Sequence, residues 1–145
     1  MRIEKILFAE QQIELAVPQT NIKKMALVNP TLSFGVPYIP TVFTFTLFVM
    51  LEGVTETFVE MNVRFINSSN SKIVFEQSFP IDANNESTLA KVLPFDVVGT
   101  NYGIQVNNIN IENEGSYECI VSLNEGETKS ERLRFVQRRA IENPE

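Results

Sequence analysis

The side chains that could perform chemistry in this chain are few, and their types exclude most familiar catalytic sites. The 145 residues include no histidine and a single cysteine, Cys119. Ser–His and Cys–His nucleophile pairs and most zinc sites need a histidine, so these are excluded. The glycines are isolated along the chain, so none belongs to a glycine-rich loop that could cradle a phosphate.

Carboxylate chemistry needs a separate argument, because paired Asp and Glu side chains can hydrolyse glycosides. The sequence has only two aspartates, Asp82 and Asp96, and most of its glutamates fall at predicted turns or outward strand positions. No constellation of nucleophile, base and oxyanion donor can be assembled from them. We therefore predict that the protein is not an enzyme and needs no cofactor.

Two segments are rich in side chains that carry oxygen atoms, so a calcium-binding site has to be considered. Residues 107–114 are rich in Asn and Glu, and a second segment holds Asp82, Asn84 and Glu86. Sandwich domains of the membrane-binding kind hold calcium in such loops, but the spacing here matches no ligand loop. We favour plain turns and no metal, and keep a calcium-dependent lipid or sugar binder as an alternative.

A basic cluster lies near the end of the chain, at Lys129, Arg132, Arg134, Arg138 and Arg139. Arg132 and Arg134 fall on the outward face of the last predicted strand. We favour a solvated edge strand, because charged side chains protect an edge from pairing with other sheets. The alternative is a contact with an anion or an acidic protein.

Composition narrows the class of protein and its compartment. The formal net charge of −6 argues against nucleic acid, whose phosphates would be repelled. Charges interrupt the first residues, so no signal peptide is predicted, and the apolar run 42–51 is about half of a membrane span. A lone cysteine makes no internal disulfide, so we predict a cytoplasmic protein. One domain over residues 1–137 and a short tail at 138–145 are expected.

In the segments that position these side chains, apolar residues recur at every second position. Apolar residues such as Phe43, Phe45 and Leu47 alternate with polar ones, as half-buried strands do. Strands are predicted near residues 2–9, 21–28, 42–52, 57–66, 72–79, 89–98, 103–111, 115–123 and 129–137. The segment 10–20 could hold a helical turn. The pattern predicts an all-β fold, a single antiparallel β-sandwich, immunoglobulin-like or C2-like, with about eight or nine strands.

Two segments have more apolar residues than a surface loop or a half-buried strand needs. Residues 29–41 hold three prolines, which favour a loop or edge excursion crossing between the sheets. We favour a segment that caps the core; the alternative is a binding surface. Strand 42–51 is apolar on both faces, so either 29–41 covers it or it forms a subunit interface. The candidate interaction residues are Phe34, Val36, Tyr38, Ile39 and Phe48.

The residues Asn113, Gly115, Tyr117 and Cys119 resemble the tyrosine corner of immunoglobulin-like domains. The resemblance implies that the Tyr117 hydroxyl bonds back to upstream backbone, that Gly115 permits the turn, and that Cys119 points inward. The partner cysteine and the core tryptophan of antibody domains are missing, so neither their disulfide nor an antibody-like role is implied.

A broader resemblance covers nearly the whole chain. The stretches RIEKILFAEQ, PYIPTVFTFTLFVMLEG, VEMNVRFINSSNSKIVFE and EGSYECIVSLNEGETKSERLRFVQ together resemble a family of small uncharacterised bacterial and phage proteins. This resemblance implies a β-sandwich, no assigned activity and no site residues.

The function predicted from these observations is a non-catalytic cytoplasmic protein-interaction module of bacterial or phage origin. It would dock on a protein partner, or on a second copy of itself, through a sheet face or edge with an aromatic anchor. It would bind neither nucleic acid nor membrane. The alternatives are an inhibitor of a host enzyme encoded by a mobile element or phage, a virion or decoration component, and the calcium-dependent binder described above.

Overall fold

The computed structural model describes residues 1–21, 23–53, 59–81, 99–124 and 126–139, and these residues form strands and no helix. The strands are β1 (Arg2–Ala9), β2 (Gln11–Ala16), β3 (Lys23–Val28), β4 (Ser33–Val36), β5 (Thr41–Glu52), β6 (Val59–Asn67), β7 (Lys72–Ile81), β8 (Gly99–Ile111), β9 (Gly115–Leu123) and β10 (Thr128–Gln137). The prediction of an all-β fold is confirmed.

The strands are arranged in three hydrogen-bonded sheets. One has the order β1-β5-β8, a second has the order β4-β10-β9-β6-β7, and β2 and β3 form a separate two-stranded hairpin. Neighbouring strands are antiparallel except for β4, which pairs with β10 in the parallel sense. The chain therefore alternates between the two larger sheets, and the segment between β3 and β5 crosses from one sheet to the other.

The two larger sheets share one hydrophobic core. Inward-facing side chains of both belong to a single buried cluster, because apolar residues alternate along each strand. Phenylalanine rings make the contacts between the sheets: the centroids of Phe45 and Phe65 are 5.4 Å apart, and those of Phe8 and Phe65 are 6.2 Å apart. Edge-to-face and tilted rings of this kind stabilise a core beyond the area they bury.

The prediction of a helical turn in residues 10–20 is wrong, because residues 11–16 form β2. Its apolar residues, Ile13 and Leu15, have the period of a strand, and β2 pairs antiparallel with β3. Pro18 and Gln19 lie in the turn, where Gln19 adopts a positive φ of 64°. A strand was also missed at Ser33–Val36, between two of the three prolines of segment 29–41. The predicted strand 89–98 lies outside the described residues.

Candidate functional site

The corner that precedes β9 is built around the hydroxyl group of Tyr117. The side chain is fully buried, and its hydroxyl accepts a hydrogen bond from Nδ2 of Asn67 at 3.3 Å. Burial raises the pKa of Tyr117, while hydrogen bonds with the backbone of Glu112 and Asn113 act in the opposite direction. The hydroxyl thus reaches back to the chain just upstream of its own strand, which is the arrangement of a tyrosine corner.

Asn67 completes a closed polar network at the same corner. It is only 1% exposed, and its Nδ2 also donates to Oδ1 of Asn113 at 2.8 Å. Its Oδ1 accepts from the backbone amide and the hydroxyl of Ser69 at 3.0 and 2.8 Å. Asn113 in turn donates to the Ser69 hydroxyl at 3.1 Å. No buried side-chain polar atom in the described part of the chain lacks a partner, so this network stabilises the corner and leaves no donor for a ligand.

Gly115 and Cys119 contribute to the backbone and the packing of β9. Gly115 has a φ of 134°, a conformation that residues with a side chain rarely adopt. Cys119 is fully buried, and this burial, reinforced by Glu131 and Glu118, raises the pKa of its thiol far above the ordinary value. The thiol therefore stays protonated in the folded protein and is not a nucleophile.

The five residues predicted to form an interaction surface do not come together on the outside of the molecule. Phe34 and Val36 point from β4 into the core and are 3% and 0% exposed. Phe48 is 8% exposed, and Ile39 is partly buried against the core. Only Tyr38, at 62% exposed, could serve as an aromatic anchor for a partner.

The outer face of the three-stranded sheet is covered, and we call it the covered face. It consists of Leu7, Thr46, Phe48, Met50 and Gly103, which lie side by side in the strand register. Thr46 is 5% exposed, although it points away from the core. Hairpin β2–β3 lies against this face: the carboxamide of Gln12 occupies the space that a side chain at position 103 would fill. A cavity of about 300 Å³ remains between Gln11, Gln12, Thr46 and Gln105.

The hairpin itself carries exposed apolar side chains. Ile13, Leu15 and Met25 are 41%, 50% and 46% exposed. Every residue of β2 is exposed, whereas strands such as β6 and β9 bury every second residue. This surface could not be predicted beyond the two apolar residues of QQIELA, because nothing in the sequence pattern shows that the strand stands apart from the core.

The calcium hypothesis finds no geometric support in the described residues. They contain no group of three or more His, Cys, Asp or Glu side chains placed to hold a metal. Glu112 accepts a hydrogen bond from Lys72 at 3.0 Å, and Glu114 accepts one from the backbone amide of Gln137 at 2.7 Å. The second candidate loop, with Asp82, Asn84 and Glu86, lies outside the described residues.

Comparison with known proteins gives no family for this chain. No family model matches it, and no curated protein shows significant sequence similarity to it. Within the described residues, no helix has the length and apolar character that crossing a membrane requires.

Proposed function

We propose that this protein is a non-catalytic, cytoplasmic interaction module that docks on another protein through hairpin β2–β3. One observation carries the proposal: Ile13 and Leu15 are exposed on one face of an element that is hydrogen bonded to neither of the larger sheets. Exposed apolar side chains that gather on one element mark contact sites more often than scattered ones do.

We propose further that the scaffold behind the hairpin is a β-sandwich of the immunoglobulin-like kind. Two observations support this assignment. The larger sheets share a core of aromatic side chains, in which the ring of Phe45 lies 5.4 Å from that of Phe65. The corner before β9 has the hydrogen bonds of a tyrosine corner around Tyr117. A rigid scaffold of this kind would hold the hairpin in a fixed orientation.

The two faces of the hairpin have different surroundings. Residues directly opposite each other in an antiparallel pair share a face, so Ile13 shares a face with Ala26, and Leu15 shares it with Lys24. Gln12 lies on the other face, which is turned toward the covered face at Gly103. The face with Ile13 and Leu15 is therefore turned away from the body of the protein, where a partner could reach it.

The partner that fits this element best is an extended strand of another protein. A two-stranded sheet is marginal in water, and a third strand would supply backbone hydrogen bonds and cover apolar side chains. Neither β2 nor β3 pairs with any further described strand, so each presents an edge. Addition of a strand to such an edge is a common mode of peptide recognition, in which alternate side chains give the specificity.

The test compares a hairpin variant with a matched control. In Ile13→Ser/Leu15→Ser the outward apolar side chains are lost. In Val42→Ser/Ile73→Ser, two apolar residues exposed to a similar extent, 56% and 48%, are lost elsewhere. Each protein, immobilised, is exposed to lysate, and retained proteins are quantified by mass spectrometry. We expect one protein to bind the wild type and the control but not the hairpin variant, and to bind again when purified.

Two outcomes would contradict the proposal. If the retained proteins are the same for all three chains, the hairpin is not the docking element. If light scattering shows a dimer of the wild type that becomes a monomer in the hairpin variant alone, the hairpin pairs with a second copy of the chain.

A further inference from the structure

A row of arginines lies on the opposite side of the molecule from the hairpin. Arg132 and Arg134 occupy outward positions of β10, on either side of the inward residue Leu133. Arg138 follows four residues later on the same alternation, and all three side chains are exposed. We call Arg132, Arg134 and Arg138 the arginine row. At the rise of a strand it extends over roughly 20 Å.

Among the described residues, the arginine row makes no ion pair, whereas Arg2, Arg64 and Lys72 each do. Arg2 lies 2.9 Å from Glu4, Arg64 lies 3.7 Å from Glu76, and Lys72 lies 3.0 Å from Glu112. In the described part of the chain, no carboxylate lies within ion-pairing distance of the arginine row. Guanidinium groups left unpaired on a protein with a net charge of −6 call for an explanation.

Protection of a strand edge does not explain Arg134 and Arg138, which lie where β4 pairs with β10. β4 pairs with β10 from Arg134 to Gln137, so β4 forms the edge of the sheet there. The sequence of β4, SFGV, carries no charge. The prediction of a solvated edge strand is therefore wrong for this half of β10. Charges that prevent sheets from pairing would be expected on β4 itself.

The position of Arg138 depends on a glycine. Its backbone amide donates to the carbonyl oxygen of Val36 at 2.7 Å, which extends the pairing with β4 by one residue. Its side chain then lies across Gly35, where an added Cβ would be 2.9 Å from Cγ of Arg138. The outward position of β4 beside Arg138 thus has no side chain, and the arginine stem packs in the space that this leaves.

The surroundings of the arginine row combine small, polar and apolar side chains. Ser33 and Ser116 lie opposite Arg134 on its two neighbouring strands. Leu32, which is 61% exposed, borders a cavity of about 370 Å³ with Arg132 and Arg134.

Glu10 lines a cavity together with Arg138, and two further carboxylates lie beside Arg132. Glu131 accepts a hydrogen bond from the backbone amide of Arg132 at 3.2 Å, and Glu118 lies opposite Arg132 on β9. None of these carboxylates reaches a guanidinium of the arginine row within ion-pairing distance. The arginine donors consequently remain available to a ligand from outside.

We propose that the arginine row binds an extended acidic segment of a partner protein. Alternate side chains of an extended chain are about 6.7 Å apart, the same distance that separates Arg132 from Arg134 along their strand. Carboxylates at every second position could therefore each meet one guanidinium, which binds a carboxylate through two parallel hydrogen bonds. An apolar residue of the segment would pack on Leu32. This surface is separate from the hairpin and goes beyond the function proposed above.

A protein segment fits the charges better than a nucleic acid does. Duplex DNA carries one negative charge per about 1.7 Å of its axis, far denser than three arginines can match. The remaining surface carries the acidic excess of a chain with net charge −6 and would repel a polyanion that extends past the row. A short acidic segment would face the arginines alone.

The test measures binding of a short fluorescein-labelled peptide of alternating glutamate and leucine by fluorescence anisotropy at about 0.15 M salt, where charges more than about 8 Å from the peptide are largely screened. We expect Arg132→Gln/Arg134→Gln to bind it at least about tenfold more weakly than the wild type. Arg2→Gln/Lys72→Gln changes the net charge by the same amount at ion-paired cations outside the arginine row. We expect this control to change the affinity by less than about twofold, since long-range charge alone has a small effect.

Three results would overturn the proposal. The first is that the wild type does not bind the peptide. The second is that the two double variants lose the same amount of affinity for it. The third is that a single-stranded DNA binds more tightly than the peptide and that this binding depends on the same arginines. Ile13→Ser/Leu15→Ser should bind the peptide like the wild type. This result separates failure of the arginine row from failure of the hairpin. A melting curve for each variant shows whether the fold is retained.

Discussion

The outer faces of the two larger sheets differ in what lies on them. On the covered face, Thr46 and Phe48 are almost fully buried, and the Gln12 carboxamide of hairpin β2–β3 lies over the neighbouring Gly103. The corresponding face of the five-stranded sheet carries Glu118, Arg132 and Arg134, all exposed, and we call it the open face. β5 is apolar on both sides and needs a second layer, whereas β10 alternates charged and apolar residues and is stable with one side in water.

This difference shows that the hairpin has a structural role as well as the proposed binding role. Its inner side places the Gln12 carboxamide over Gly103, beside the buried Phe48, and its outer side presents Ile13 and Leu15. The open face needs no such cover, so its charged side chains are available for a ligand. Substitutions on the two faces should accordingly differ in their effect on stability, and the expected differences below run from the largest to the smallest.

Phe48→Ala should have the largest effect, a decrease of about 3 kcal/mol in the free energy of unfolding, because it removes a buried aromatic side chain. Urea denaturation measures it. Val42→Ala, on the same strand but 56% exposed, is the control and should change stability by less than about 0.5 kcal/mol. Equal effects of the two substitutions would mean that the Phe48 side chain is not buried in solution.

Asn67→Ala should decrease the free energy of unfolding by about 2 kcal/mol, because Tyr117, Asn113 and Ser69 lose a partner in the interior. Asn62 lies on the same strand, is only half-buried, and its side chain donates to the Ser78 hydroxyl at 3.0 Å. Asn62→Ala should cost less than about 0.5 kcal/mol. If thermal unfolding shows similar losses for both asparagines, polar groups on the open face contribute more than their exposure suggests.

Gly103→Val should loosen the hairpin at a cost of about 1 kcal/mol, since the new side chain takes the place of the Gln12 carboxamide. Hydrogen exchange of the β2 amides should become faster, while exchange in β9 should not change. Unchanged exchange in β2 would show that the Gln12 side chain moves aside and that the hairpin stays in place.

Arg132→Ala/Arg134→Ala should have the smallest effect, within about 0.5 kcal/mol of the wild type, because both side chains are exposed and make no ion pair with described residues. Differential scanning calorimetry measures the change. A decrease of more than about 1.5 kcal/mol in the free energy of unfolding would mean that these arginines stabilise the fold, and it would contradict their assignment to a ligand.

The strands that bury one side could be predicted from the sequence. β6, β9 and β10 alternate apolar and polar residues because one face of each meets the core and the other meets water. β2 gave no such contrast, since all six of its residues are exposed. β4 was missed because prolines suggest a loop, although Pro37 lies just beyond the strand end.

The candidate sites could be predicted only where the interacting residues are close in the sequence. The spacing of Gly115, Tyr117 and Cys119 indicated the corner, but the Tyr117 partner Asn67 lies 50 residues away. The arginines were visible as a cluster, yet whether β10 forms an edge depends on its pairing with β4, a strand about a hundred residues earlier. Contacts between distant parts of the chain leave no local pattern.

The buried thiol of Cys119 can serve as an intrinsic probe of local unfolding. It is the chain's only cysteine, and it lies fully buried on β9, a strand paired on both sides, with β10 and with β6. A thiol reagent can reach it only when these strands separate. The rate at which one equivalent of reagent is consumed, compared with the rate in denaturant, thus measures how often the centre of the sheet opens, with no added label or engineered residue.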